Sequence, residues 1–280
     1  MGTARDYEES VEAVADLLEI KLVELPDWNC CGATSGHSLS HRLTLNLAAR
    51  NLGLSQGRPQ PVVVPCALCY NRLKTAQAEL IEDHHLVTAE IARLGTDYGG
   101  VEVVELNSYL TSEEMIVKIK EKKALDLAGL KPVCYYGCQG QRPPKITGHP
   151  APENPMGLDR LLSALGAEVR DWAFKTDCCG ASHSIARPDI LYKMVGDLYR
   201  RALQAGANCF VTGCQMCQAN LDMYQEEIAA EMGEKIYLPV FYFTELVGLA
   251  LGHKDTARWL SRHMVSSSAL LAETGLLQKS

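Results

Sequence analysis

Apolar positions recur first with a helical step. Tyr7, Val11, Val14, Leu17 and Leu18 place one stripe along residues 7–19. Lys21–Leu25 then alternates as a strand does, and Pro26 closes it. The same reading predicts helices over 39–52, 70–93 and 112–127, a strand over 101–106, and a short buried strand at Val62–Val64 between Pro61 and Pro65. Further on it predicts strands at 133–136, 168–172, 209–212 and 235–240. The helices between them fall at 157–165, 184–204, 215–231 and within 241–264. Strands alternating with helices imply an α/β fold, with parallel sheets covered by helices on both faces. The best apolar run, Phe241 to Gly252, is short and broken by Thr244 and Glu245, so no membrane span is expected.

The chain also repeats itself. Asn29-Cys30-Cys31-Gly32 is echoed by Asp177-Cys178-Cys179-Gly180, and Cys66-Ala67-Leu68-Cys69 by Cys214-Gln215-Met216-Cys217. In each copy 34 residues separate the second cysteine of the adjacent pair from the Cys-x-x-Cys. An offset of 148 carries Cys30, Cys31, Cys66 and Cys69 onto Cys178, Cys179, Cys214 and Cys217. Chance does not keep four cysteines in step over that distance. The protein reads as a tandem duplication with a unit too long for a solenoid. A first domain over 1–129 and a second over 130–280 are expected, joined at Gly129–Pro132.

Composition narrows the setting. A chain of 280 residues allows about two domains. With 27 Lys and Arg against 34 Asp and Glu, the net charge is −7, a poor match for nucleic acid or anionic lipid. Eleven cysteines are too few for a small disulfide scaffold, and the count is odd. The opening stretch carries Glu8, Glu9, Glu12, Asp16 and Glu19, unlike a secretory leader, so a reducing, cytoplasmic setting is expected.

In that setting clustered cysteines hold metal or do redox chemistry. One Cys-x-x-Cys is a weak signal, equally a thioredoxin-like pair or half a metal site. Here each is matched to an upstream Cys-Cys, and neighbouring strand-to-helix loops could bring four thiolates together, for zinc or an iron–sulfur cluster. Adjacent cysteines converge poorly on one tetrahedral ion and suit a target with several irons. Helix N-termini nearby would offset the negative charge, and Gly32 and Gly180 would give the backbone room to turn. The second copy has one more candidate, Cys138 in Tyr135-Tyr136-Gly137-Cys138, with 39 residues between it and Cys178. Its counterpart in the first copy would fall upstream of Met1, so the first copy lacks its opening strand and first cysteine.

This pattern closely resembles the cysteine-rich CCG domain, Cys…Cys-Cys-Gly…Cys-x-x-Cys. Two copies without a fused ferredoxin domain resemble the B-subunit family of heterodisulfide reductase, over essentially the whole chain. Lactate- and glycolate-oxidising complexes and some fumarate reductases share the domain. The resemblance implies a non-cubane 4Fe–4S cluster on five cysteines per domain, two clusters facing one cavity, and a disulfide cleaved between them with one electron from each. It implies a ferredoxin-like C subunit as electron donor and, in many members, a flavin-containing A subunit. The substrate would be a small thiol or disulfide, or a carrier-bound thiol. Carried over by position, Cys138, Cys178, Cys179, Cys214 and Cys217 would hold the catalytic cluster of the second domain. Cys30, Cys31, Cys66 and Cys69 would hold that of the first, with its fifth ligand missing. Met1-Gly2-Thr3-Ala4-Arg5 looks like sequence just after the expected Gly-Cys, so a start assigned too late is one explanation. A first site holding a smaller cluster, zinc or nothing is the other.

Bland roles are expected for the remaining candidates. Cys134 and Cys209 lie in apolar strands and read as core. His37 and His183 follow the two Cys-Cys-Gly turns, as capping residues or as proton donors to a leaving thiolate. His84 and His85 read as solvated. Arg72, Lys74, Arg142, Lys145 and Arg187 read as a solvated face that could steer an anionic substrate. Trp28 and Trp172 are expected to pack beside the cysteines.

Overall fold

The structure, a computed structural model, describes residues 4–33 and 36–276, without the side chains of His37 and Ser182. Helix α1 (Arg5–Leu17) opens the chain and α2 (His41–Ser55) follows the first Cys-Cys-Gly. Strand β1 (Val62–Val64) leads into α3 (Ala67–Glu82), and β2 is Val103–Glu105. After β3 (Pro132–Tyr135) come α4 (Gly157–Ala164) and α5 (Pro188–Gln204). Strand β4 (Cys209–Thr212) leads into α6 (Gln215–Met223), and β5 (Val240–Tyr242) runs directly into α7 (Phe243–Ala250).

Two parallel sheets result. One pairs β1 with β2, bringing Val64 opposite Glu105. The other has the order β3-β4-β5, with Tyr135 opposite Thr212 and Thr212 opposite Tyr242. Strands of three or four residues leading into helices, fully buried in β3, β4 and β5, are what a parallel sheet covered by helices requires. The chain divides into two compact units. One takes Met1–Leu22, Leu110–Cys138 and Glu153–Ser280, the other Val23–Tyr109 and Gln139–Pro152.

In the first of these units α1 packs against α7 and the helix Thr256–Leu260. Its buried Tyr7 donates to the carbonyl of Gly213 (3.2 Å) and packs tilted against Tyr242, ring centroids 4.5 Å apart, and Ser10 shares a hydrogen bond with Thr244 (2.7 Å). The aromatic core around β3 and β4 joins Tyr135, Trp172, Tyr199 and Phe210. In the other unit Leu45, Ala49, Leu52, Val64, Tyr70, Leu73 and Leu80 form the core between α2, α3 and the strands.

Several elements differ from the periodicity. Lys21–Leu25 forms no strand; Leu22 and Val23 are exposed, and alternation makes a strand only where a sheet edge receives it. Residues 168–172 lie outside the ladder, although Glu168 and Arg170 donate backbone hydrogen bonds to Leu130 and Pro132 beside β3. The helix expected to reach 93 stops at Glu82, because the Asp83 carboxylate accepts from the His85 N–H and starts a separate turn. Helix α2 starts at His41, where the Ser40 hydroxyl accepts from the Leu43 N–H, and α5 starts at Pro188, a residue suited to a first turn. The helix expected over 112–127 stops at Glu121, and the one expected over 215–231 divides at Tyr224.

Candidate metal centres

The two Cys-x-x-Cys motifs are placed alike. Cys66 and Cys214 are the N-caps of α3 and α6, just beyond β1 and β4, so Cys69 and Cys217 sit in the first helical turn. This is the carboxyl edge of a parallel sheet, where α/β folds bind ligands. There, free helix N–H groups favour anionic sulfur.

The Cys-Cys-Gly turns meet those caps with the same contacts in both units. The Cys31 and Cys69 sulfurs lie 2.9 Å apart, and the Cys179 and Cys217 sulfurs 3.7 Å apart. The Gly32 N–H points to the Cys30 sulfur (3.5 Å), as the Gly180 N–H does to Cys178 (3.3 Å). Both glycines are left-handed, with φ of +68° and +75°. A Cβ on Gly32 would meet the end of the Leu47 side chain at 2.8 Å, but it is the left-handed turn that favours glycine here.

The surroundings make thiolates. A hydrogen bond from Cys69 lowers Cys66 to about 7 against the effect of burial, helped by the N–H groups of Cys69 and Leu68. A hydrogen bond from Cys138 lowers Cys178 to about 6, again against burial, helped by the N–H groups of Gly180 and Ala181 and the charge of His183. Hydrogen bonds from Cys69 and Cys217 likewise lower Cys31 and Cys179. The Asn220 amide adds a contact to the Cys179 sulfur (3.6 Å) and a bond to its carbonyl (3.1 Å). The donors of these bonds, Cys69 and Cys217, are pushed up correspondingly. No disulfide joins any of the described cysteines. Thiols crowded to contact and shared between thiolate and thiol fit a metal centre that would take up their charge.

Cys138 joins the second set from the end of β3. Gly137, at φ +68°, leaves room there: a Cβ would stand 2.9 Å from the Cys217 sulfur. The segment before Cys178 makes several of the hydrogen bonds that hold this end. Trp172 Nε1 donates to the Cys134 carbonyl (2.9 Å), the Tyr136 and Gly137 N–H groups donate to the Lys175 carbonyl (2.8 and 3.1 Å), and Tyr135 Oη donates to the Asp177 carbonyl (2.5 Å). Beneath them the buried Lys175 ammonium donates to Asp159 (2.9 Å), whose other oxygen accepts from Tyr136 Oη (2.6 Å). Lys175 and Asp159 carry no sequence signal, since each reads as an ordinary surface charge.

The other candidates divide. Cys134 and Cys209 are fully buried, and burial raises both thiols. Trp172 packs on Tyr135 and Phe210 and donates to the Cys134 carbonyl, whereas Trp28 is exposed and its indole donates to Glu24 (2.8 Å). His183 is half-buried beside Cys178, while the side chain of His37 and the residues Met1–Thr3 lie outside the described residues. His84 and His85 are exposed, Arg187 pairs with Asp189, and Lys74 donates to Gln77.

Glu105, at the end of β2, gave no signal in the sequence either. It is only 4% exposed, and its Oε1 has no hydrogen-bond partner among the described residues. Burial first, then the charge of Cys66, raises it to about 7. A Cβ on Gly140 would stand 2.4 Å from Oε1.

Comparison with known proteins agrees with this geometry. The family model described as CCG, cysteine-rich domain, matches residues 1–74 and 133–222. The chain is 31% identical over 268 residues to the 8-methylmenaquinol:fumarate reductase membrane anchor subunit of Wolinella succinogenes, covering 95% of this chain and 94% of that one. It is 28% identical over 273 residues to the B subunit of the ferredoxin:CoB-CoM heterodisulfide reductase of Methanosarcina mazei, covering 95% and 91%. A crystal structure of a hypothetical protein from Helicobacter pylori shares the fold, with a TM-score of 0.71 at 11% identity over 93% of this chain. This chain spans about half (49%) of that structure's length.

Proposed function

Because this chain belongs to the cysteine-rich CCG family, which takes in heterodisulfide reductase B subunits, we propose that it is the catalytic iron–sulfur subunit of a heterodisulfide reductase-like complex. The observation that carries this reading is the repeated thiol nest. In each unit a buried cysteine of the Cys-Cys pair touches the last cysteine of Cys-x-x-Cys, while a left-handed glycine turns its N–H to the other. Cys138, Cys178, Cys179, Cys214 and Cys217 would hold one non-cubane 4Fe–4S cluster, and Cys30, Cys31, Cys66 and Cys69 another. Such clusters supply single electrons.

The residues themselves hold the sulfurs as thiolates and fix their directions. The Gly32 and Gly180 N–H groups, the Asn220 amide and the caps of α3 and α6 take the place of water around anionic sulfur. Reducing a disulfide consumes two electrons and two protons and gives two thiols. A ferredoxin-like C subunit, fed by a flavin-containing A subunit, would bring the electrons, and His183, which follows the second Cys-Cys-Gly turn, would be the candidate proton source. The disulfide of coenzyme M and coenzyme B, or a bacterial thiol counterpart, is the substrate class. Identity to the Wolinella subunit supports a second reading, an electron-transfer subunit of a fumarate-reducing or hydroxy-acid-oxidising complex.

Iron and acid-labile sulfide measured anaerobically per chain test the shared part of both readings. About eight irons are expected for two such clusters. Zinc alone, after reconstitution, would overturn both. Adding a heterodisulfide to the prereduced protein separates them. Under the first reading the spectrum reoxidises within the mixing experiment; under the second it stays reduced until an electron-accepting partner is added.

A further inference from the structure

Asp6, Glu245 and His263 meet inside the unit that holds the second thiol set, and none of them belongs to that set. Asp6 comes from α1, Glu245 from α7, and His263 follows the helix Thr256–Leu260. Two carboxylate oxygens and one imidazole nitrogen all lie within 4.8 Å of one another. His263 Nε2 stands 2.9 Å from Glu245 Oε1 and 3.3 Å from Asp6 Oδ2. Bonds of about 2.0–2.2 Å around one tetrahedral ion set its donors roughly 3.3–3.6 Å apart, close to these spacings.

An ion pair alone serves this group badly. One Nε2–H cannot point squarely at both carboxylates, yet both turn an oxygen to that nitrogen. Nδ1 has no hydrogen-bond partner among the described residues, so a charged ring carries a buried N–H with nothing to accept it. The charges do not balance either. The side chains of Glu245 and His263 are 0% and 1% exposed. Asp222 adds a third carboxylate acting on the ring, and the N–H groups of Met264 (2.7 Å) and Val265 (3.0 Å) hold it there. Three carboxylates thus bear on one imidazole, while the neighbouring Arg262 pairs with Glu9 (3.0 Å). Two of the donors are aimed from behind. Glu245 Oε2 accepts from the Tyr242 N–H (2.9 Å), leaving Oε1 for the shared point, and Tyr7, next to Asp6, is fixed by its bond to the Gly213 carbonyl. Outer hydrogen bonds of this kind orient metal-binding carboxylates.

We propose that Asp6, Glu245 and His263 bind a divalent first-row metal cation, at a site separate from both thiol sets. Two hard oxygens and one imidazole suit manganese(II), iron(II) or zinc. The cation takes the place of the proton that Nε2 holds in the metal-free chain, and that proton leaves to solvent. Each donor then has its own bond, and α1 is tied to α7 and to the segment after Thr256–Leu260. The site stands whether or not the thiols hold iron.

Manganese(II) is the probe, because carboxylate takes it and thiolates favour softer ions. It is added to the full chain after cluster reconstitution, and free ion is read from its EPR signal. The chain is expected to bind it, to show nitrogen coupling from the imidazole in pulsed EPR, and to melt at a higher temperature with the cation than without. Asp6→Asn and Glu245→Gln should each weaken binding at least about ten-fold, and His263→Asn should remove the nitrogen coupling. Asp6 is the most exposed of the three, at 13%, so metal-free Asp6→Asn should keep the circular dichroism of its parent. Lost binding there reports lost donation rather than lost folding. No binding by the unsubstituted chain would overturn the assignment, as would equal binding with unchanged nitrogen coupling in the three variants.

Discussion

Lys175 shows how one buried charge can hold a site. Its side chain is 1% exposed and meets the Asp159 carboxylate, which is 7% exposed. Removing the ammonium leaves that carboxylate buried without its cation. Lys175→Met is therefore expected to destabilise the metal-free chain by about 3–5 kcal/mol, read from urea unfolding. Tyr136→Phe, which removes one hydrogen bond to the same carboxylate, should cost about 1–2 kcal/mol. Equal losses in the two variants would mean that the charge pairing matters no more than the hydroxyl. None of this was legible in the sequence. Cysteines announce themselves by spacing, because ligand geometry constrains separation along the chain. Lys175, Asp159 and Glu105 become unusual only once other segments cover them.

Helix α1 illustrates the element scale. Its apolar stripe was readable, but what the stripe meets was not. Asp6 from α1 and Glu245 from α7 converge on His263, with His263 Nε2 3.3 Å from Asp6 and 2.9 Å from Glu245. Burial opposes a charged imidazole, yet Glu245 and Asp6, with Asp222 beyond, hold His263 well above the usual histidine range. Tyr242 packs edge-on against the ring. Burial also raises Glu245, only partly offset by His263. A raised histidine contributes stability that is complete below its unfolded value of about 6.5 and is lost as pH rises through its folded value. The melting temperature of the metal-free chain should fall from pH 6 toward pH 9 more steeply than that of His263→Asn. Parallel profiles would remove His263 from this role. Elsewhere periodicity located elements better than it ended them. Ser40, Asp83 and Pro188 fix helix limits by local bonding, whereas Lys21–Leu25 lacked a sheet edge to join.

At the scale of the molecule, the duplication written in the cysteine spacing corresponds to two thiol sets, each contained in one compact unit. Cys30, Cys31, Cys66 and Cys69 fall in one; Cys138, Cys178, Cys179, Cys214 and Cys217 fall in the other. No thiol is shared, so damage to one set should spare the other. Cys217→Ser is expected to remove about half of the iron and leave the spectrum of the remaining half unchanged. Loss of all iron would show that the sets assemble only together. Among the described residues no helix is long and apolar enough to cross a membrane, although the Wolinella relative is named a membrane anchor subunit.

Helix α1 leaves the ribosome long before the surfaces that bury it, α7 and Thr256–Leu260. At about 5–20 residues per second, the intervening chain takes on the order of ten to fifty seconds to appear. Through that interval Tyr7 and Val14 have no native surface to cover them, while both stretches of the unit carrying Cys30, Cys31, Cys66 and Cys69 are already complete once Pro152 has been made. The nascent chain can thus finish one thiol set while the other still waits for its later helices, and the exposed stripe of α1 is a natural handle for a chaperone during that wait.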